Sequence, residues 1–313
     1  MRKFGFLLFG FLLFGFLLFC FSLSACAPAS EDGSGDASRP VVCTSIYPLY
    51  DFTQKIAGDL VSLHNLVPAG IDPHEWEPGA ADIAALERAD LLICNGAGLE
   101  FWLEDVLGAL ENKELQVVEA AQGIAGESEG EDEHGHSHDG ALDPHVWLDP
   151  MCAKRQSEAI AAALQAIDAP NRESYARALE ELRDAFDALD AAFHDTLDPL
   201  PKKDIIVAHE AYGYLCKAYG LTQHGIQGLA PDEEPIPSHM ADIITLAKEL
   251  DVDTVFFEEL VNPKVAETIA EAAGAKTAAL SPLEGLTDAQ RERGDDYFSV
   301  MRQNLEALSA ALS

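Results

Sequence analysis

The sequence predicts an α/β protein of two lobes with mostly parallel sheets, linked by one long α-helix, with a site in the cleft between the lobes. Three observations carry this. From Val41 onward, short β-rich runs alternate with helical ones. The alternation stops at a single long amphipathic stretch, and a second alternating series follows it. Strands alternating with helices imply a parallel sheet covered by helices, because parallel neighbours need a crossover between them.

In the first series, strands are expected over 41–46, 61–67, 90–95 and 115–119, with helices over 49–57, 80–88 and 99–110. Such folds bind ligands beyond the carboxyl ends of their strands. Residues 123–140 break the pattern with an acidic run followed by His134, His136 and His138. Almost nothing there is apolar, so a mobile loop is expected. A helix is expected over 157–167. The longest helical signal follows, with Tyr175, Leu179, Leu182, Phe186, Leu189 and Phe193 recurring at steps of three and four. Asn171 is the expected N-cap, and Pro199 and Pro201 end the run. At about 1.5 Å per residue this helix spans about 40 Å, enough to run the height of two lobes. The second series has strands over 204–208, 222–226, 253–257 and 276–280, and helices over 211–219, 238–249, 263–273 and 295–312. The expected division is 41–170 for the first lobe, 171–198 for the linking helix and 199–313 for the second lobe.

The first 25 residues read as an export signal. Arg2 and Lys3 precede an apolar run from Phe4 to Leu23. The run is long enough to serve as a retained membrane anchor, but it ends in Leu23-Ser24-Ala25-Cys26, which resembles a bacterial lipobox. Cys26 is therefore the expected lipidation site. Residues 26–40, rich in Ser, Gly, Asp and Ala, read as a flexible tether. After Leu23 no apolar stretch is long enough to span a bilayer. The expected location is outside the cytoplasmic membrane, lipid-anchored to its outer face or periplasmic.

The formal net charge of −34 argues against a nucleic-acid partner, which needs Lys and Arg to displace phosphate counterions. It is compatible with attracting cations, and equally with plain solubility. Cys43, Cys94, Cys152 and Cys216 leave disulfides open in an oxidising compartment, and none has Cys-x-x-Cys spacing.

The chemistry lies in an echo. Asp72-Pro73-His74-Glu75-Trp76 returns as Asp143-Pro144-His145-Val146-Trp147. Each copy presents an imidazole in a loop, and His209 offers a third at a strand's carboxyl end. Three neutral imidazoles suit zinc, which prefers four tetrahedral ligands. The loop after the last strand, Ser281-Pro282-Leu283-Glu284-Gly285-Leu286, carries one carboxylate, Glu284. Glu75 and water are the alternatives. Both Asp-Pro-His copies precede the long helix, so His209 and Glu284 must reach across from the second lobe. Asp72 and Asp143 either orient the imidazoles or merely cap turns. Trp76 and Trp147 are expected to pack against loops rather than touch metal. His64, His194, His224 and His239 read as surface or structural residues.

With these motifs in order, joined by Val207-Ala208-His209-Glu210-Ala211-Tyr212, Pro231-Asp232-Glu233-Glu234-Pro235 and Phe256-Phe257-Glu258-Glu259, the chain resembles the metal-binding lipoproteins of bacterial zinc and manganese ABC importers, the ZnuA/TroA/AdcA-type solute-binding proteins. The resemblance covers the chain from Val41. It implies two (β/α) lobes, a rigid linking helix and one metal in the cleft, and it carries over His74, His145 and His209 as ligands. Many members place Asp where this chain has Ser281. Zinc-specific streptococcal-type members resemble this chain in a Glu after Pro-Leu, which maps to Glu284. Manganese-type members use two His and two carboxylates; His209 makes nitrogen dominate here and favours Zn2+ over Mn2+. The implied partners are an ABC permease and its ATPase, with the protein acting as a monomer. Within such an importer, His134, His136 and His138 are expected to collect zinc weakly.

The rival classes are a secreted zinc hydrolase and an adhesin. A catalytic zinc keeps an open position beside a general base, whereas three His and Glu284 would close the shell. His209-Glu210-Ala211-Tyr212-Gly213 also lacks the second His of the helix-borne protease motif. No separate adhesive feature is legible.

Overall fold

The computed structural model describes residues 39–126, 142–229 and 235–313. The export segment, Cys26, most of the acidic histidine loop and Pro231–Glu234 lie outside the described residues. Among the described residues no helix is long and apolar enough to cross a membrane.

Two four-stranded parallel sheets form the frame. In the first lobe, β1 (Val41–Thr44), β2 (Ser62–Asn65), β3 (Leu91–Cys94) and β4 (Gln116–Glu119) lie in the order β2-β1-β3-β4. In the second, β5 (Asp204–His209), β6 (Thr222–Gln227), β7 (Thr254–Phe257) and β8 (Lys276–Ala279) repeat that order as β6-β5-β7-β8. In each lobe the chain moves outward to one side and then to the other of its first strand. That reversal opens a crevice at the carboxyl end of the central strands, where the crossovers part. β3 is buried along its whole length, as expected of a strand covered on both faces.

The helices of the first lobe are α1 (Tyr47–Ala57), α2 (Ala80–Leu86), α3 (Leu103–Ala109) and α4 (Pro150–Ile167). Two differ usefully from expectation. α3 starts four residues later than 99, because residues 96–98 all take positive φ and turn the chain back toward β3. α4 starts seven residues earlier than 157. Asp149 caps it by accepting from the Met151 N–H, and Pro150 fills the first helical position, where a missing N–H costs nothing.

The long helix α5 (Arg172–Leu197) buries Tyr175, Leu179, Leu182, Phe186, Leu189, Phe193 and Leu197 along one stripe. At about 1.5 Å per residue it is about 39 Å long. Asn171 does stand at its N-cap, but its side chain donates to Asp168 instead of capping the helix. The second lobe adds α6 (Gly213–Tyr219), α7 (Pro237–Glu249), α8 (Lys264–Ala273), α9 (Asp288–Arg293) and α10 (Tyr297–Leu312). The short α9 has no counterpart in the sequence reading, since six residues carry too little periodicity to announce a helix.

The main core is continuous across both lobes. It runs from Val42, Leu49 and Phe52 through the stripe of α5 to Ile205, Val207, Leu215 and Tyr297. Phe186 lies at the junction, edge-on to Phe52 of α1 at 5.4 Å and 5.7 Å from the Tyr297 ring of α10. Lys55 of α1 adds an ion pair to Asp296, at the start of α10, at 2.9 Å. Pulling the lobes apart would expose this apolar cluster to water, so the frame resists wide hinging.

Candidate metal centre

Four side chains meet in the crevice. His74 comes from the loop after β2, His145 from a 3₁₀ turn before α4, His209 from the last position of β5, and Glu284 from the loop after β8. His74 Nε2 lies 3.2 Å from His145 Nε2 and 3.0 Å from Glu284 Oε1. His145 Nε2 is 3.3 Å from both His209 Nε2 and Glu284 Oε1. His209 Nε2 is 3.5 Å from that same oxygen. One ligand atom from each residue lies within 4.8 Å of all the others. A tetrahedron of ligands about 2.0–2.1 Å from a central zinc has edges of about 3.3–3.4 Å. The observed separations match that figure, so the group could hold one tetrahedral cation. His145 and His209 are wholly buried, and the His74 and Glu284 side chains are only 8% and 5% exposed. Glu75, the other carboxylate beside His74, is exposed and stands outside the group.

Two of the imidazoles are oriented by carboxylates. Asp143 Oδ1 lies 2.8 Å from His145 Nδ1 and also accepts the His145 backbone N–H at 2.9 Å. Glu258 Oε1 lies 2.6 Å from His209 Nδ1. A proton on Nδ1 donated to these oxygens leaves each Nε2 lone pair aimed at the centre. Asp72 behaves differently: among the described residues its Oδ1 accepts the His74 backbone N–H alone, at 2.8 Å, which is turn chemistry. Of the two readings open for the aspartates, Asp143 does both and Asp72 only the second. Gly213 lets Asp143 reach this position, since a Cβ there would lie 2.6 Å from Asp143 Oδ2.

The His145 loop is further suspended from β3. Asn95, fully buried, donates to the Pro144 carbonyl at 2.9 Å and accepts from Gln156 at 2.9 Å. Buried Glu100 accepts the Asn95 and Gly96 N–H groups and the Ser45 hydroxyl. Burial pushes its carboxyl up, and these three donors hold it back. From the second lobe, Tyr214 donates to the Asp143 carbonyl at 3.2 Å.

Burial and hydrogen bonding pull these side chains in opposite directions. Burial alone would raise the Glu284 carboxyl, but hydrogen bonds from His145, His209 and His74 hold it well below its ordinary value. Burial would lower His209, yet the charge and hydrogen bond of Glu258, with help from Glu284, push it up to about 10. His145 is raised as well, burial being outweighed by Asp143 and Glu284.

The tryptophans confirm packing and add a contact. Trp76 is half-buried and edge-on to Trp102 at 5.6 Å. Trp147 is wholly buried against the His145 ring at 5.3 Å, and its indole N–H donates to the Pro282 carbonyl at 2.8 Å. Glu258 was legible only as part of a motif, with no role assigned. Its partner is 49 residues away, so no local spacing pointed to it. Ser281 faces no ligand; its hydroxyl accepts the Leu283 N–H, and its backbone is held by Asn304. His64, His194, His224 and His239 all lie outside the four-residue group. Cys43, Cys94, Cys152 and Cys216 are all buried.

The chain is similar to known zinc-uptake proteins. A family model described as zinc-uptake complex component A, periplasmic, matches residues 42–311. The high-affinity zinc uptake system protein ZnuA of Bacillus subtilis (strain 168) is 38% identical over 300 residues, covering 93% of each chain. The zinc-binding lipoprotein AdcA of Streptococcus pneumoniae is 34% identical over 273 residues, or 85% of this chain and 54% of AdcA, so the present chain spans about half of that longer protein. Among solved structures, the Zn(II)-bound ZnuA-like domain of S. pneumoniae AdcA superposes with a TM-score of 0.75 at 32% identity, covering 88% of this chain and 99% of that one. The laminin-binding protein Lmb of Streptococcus agalactiae, described as bifunctional with adhesin and metal transporting activity, gives 0.76 at 32% identity, with 88% and 100% covered. The chain belongs to the zinc-uptake complex component A family, whose members are solute-binding proteins of zinc importers and not enzymes.

Proposed function

We propose that this protein captures Zn2+ outside the cytoplasm with His74, His145, His209 and Glu284 and delivers it to the membrane permease of an ABC importer, driven by that importer's ATPase. The observation that carries this reading is the set of five ligand separations between 3.0 and 3.5 Å, which fit a zinc tetrahedron. Three nitrogens and one oxygen favour zinc over manganese, whose harder ion prefers carboxylate-rich sites. The buried, four-sided arrangement suits carriage of the ion, since a catalytic zinc needs a position open to water.

The remaining parts of the proposal concern residues outside the described structure. Residues 1–25 direct export, Cys26 carries the lipid, and 26–40 tether a monomeric binding unit to the outer face of the membrane. His134, His136 and His138 collect zinc weakly. Metal analysis of purified protein, with competition against a chelator of known strength, tests the central claim. One tight zinc per chain is expected, with manganese bound far more weakly. Tighter manganese than zinc, or no stoichiometric zinc, overturns it. For the anchor, label from a palmitate analogue should appear on wild type and vanish in Cys26→Ala.

A further inference from the structure

The second tryptophan of the echo does more than pack. Trp147 lies two residues after His145, and Pro282 lies two residues before Glu284. The 2.8 Å bond from the Trp147 indole N–H to the Pro282 carbonyl therefore joins the ligand loop of one lobe directly to the ligand loop of the other. Both loops are also gripped by α10. Tyr297 donates to the Trp147 carbonyl at 2.6 Å, while Asn304 accepts from the Ser281 N–H at 2.9 Å and donates to the Ser281 carbonyl at 2.8 Å. The indole bond closes a ring that runs from α10 through Trp147 and Pro282 to Ser281 and back to α10.

Between Pro282 and Glu284 lies Leu283, wholly buried, with φ of +58°. A non-glycine residue adopts this left-handed conformation only at a steric cost, and it persists only where the surroundings hold it. Here the holders are the Ser281 hydroxyl, which accepts the Leu283 N–H at 3.1 Å, and the indole on Pro282. Because Trp147 is fully buried, water has no access to replace the indole N–H if it is removed. The Pro282 carbonyl would be left unpaired, and the loop could relax by relieving the strain at Leu283. That movement would carry Glu284 away from the three imidazoles.

We infer that Trp147 is a positioning residue whose indole N–H straps the Glu284 loop to the His145 loop and thereby sets the geometry and residence time of the bound metal. The inference rests on the assignment of the four ligands to zinc. The test compares the full chain with Trp147→Phe and Trp76→Phe. A further variant replaces Trp147 by benzothienylalanine, which keeps the bicyclic shape and lacks only the N–H. Three quantities are read: the rate of zinc loss to excess chelator, the ligand-field absorption of the Co2+-substituted protein, and the melting temperature of the metal-free protein.

Both Trp147 variants should lose zinc about tenfold faster, the scale of one buried hydrogen bond. Their cobalt bands should weaken and shift as the fourth ligand leaves the tetrahedral position. The benzothienyl variant should lower the metal-free melting temperature by only a few degrees, and Trp76→Phe should match wild type in zinc loss and cobalt bands. Benzothienyl protein with wild-type zinc loss and cobalt bands overturns the strap, as does an equal effect from Trp76→Phe. Failure of the wild type itself to bind one zinc would instead remove the ligand assignment, so the two failures are distinguishable.

Discussion

The two Asp-Pro-His-x-Trp segments share four of five residues but are held in different ways. In the second copy, Asp143 fixes both the backbone and the ring of His145, Asn95 holds the preceding carbonyl, and Trp147 is locked into the opposite lobe. In the first copy, Asp72 fixes only the backbone of His74, and Trp76 stays half-buried against Trp102 within its own lobe. Among the described residues the hydrogen-bond and ring partners of the His74 side chain are His145, His209 and Glu284. The same local sequence thus yields one ligand set in advance and one ligand free to adjust.

The largest test of this contrast removes the ligands themselves. His145→Ala should weaken zinc binding by more than about 100-fold, beyond the 10–100-fold range for loss of an outer partner. His74→Ala should weaken it less and act mainly by speeding release. Competition titration and stopped-flow chelation measure both, and equal losses would remove the asymmetry.

The aspartates come next. Asp143→Ala should cost about 10–100-fold in zinc affinity because the His145 ring loses its orienting carboxylate. Asp72→Ala removes only a turn contact and should cost a few-fold, about 1 kcal/mol or less. Calorimetry on the pair decides whether the two copies differ through their aspartates.

The third test is pH. His209 is pushed up to about 10 and His145 is raised, so protons compete with zinc for these imidazoles. Affinity should rise with pH from about 6.5 to about 10, by about tenfold per unit for each proton displaced. The metal-free fold should move the other way. The His209 contribution to stability is full below its unfolded value of about 6.5 and is lost as pH rises through about 10. Glu284 contributes in the opposite sense, its stabilisation being lost as pH falls below the carboxylate range. Calorimetry in buffers of different protonation enthalpy counts the released protons. A pH-independent affinity would contradict this competition.

The smallest expected effect is at Glu75. It adjoins His74 in sequence but is exposed and outside the group, so Glu75→Gln should change zinc affinity less than about twofold. A large loss would return it to the list of candidate ligands and make the first copy more than a single imidazole.

Much of the site was legible because its signals are local. The echo needs only five residues at a time, and His209 announces itself by ending a β-rich run. The alternation of strands and helices, and the apolar stripe from Tyr175 to Phe193, follow from side-chain periodicity that any window of the chain displays. Glu284 was reached only as the single carboxylate of its loop and by resemblance to zinc-specific proteins. Its separation from His74 is 210 residues, which no local pattern encodes. The start of α4 was missed because its apolar pattern is weak there, while Asp149-Pro150 supplied a cap in its place.

The α/β class, the long helix and the three imidazoles can be read along the chain, since periodicity and residue chemistry are properties of short segments. Which carboxylate orients which ring, how Asp72 and Asp143 part company, and that Trp147 spans the lobes emerge only on folding. Those outcomes depend on which loops two parallel sheets bring to the same edge, and contacts across 49, 135 and 210 residues exist only once both sheets and the helix between them have packed.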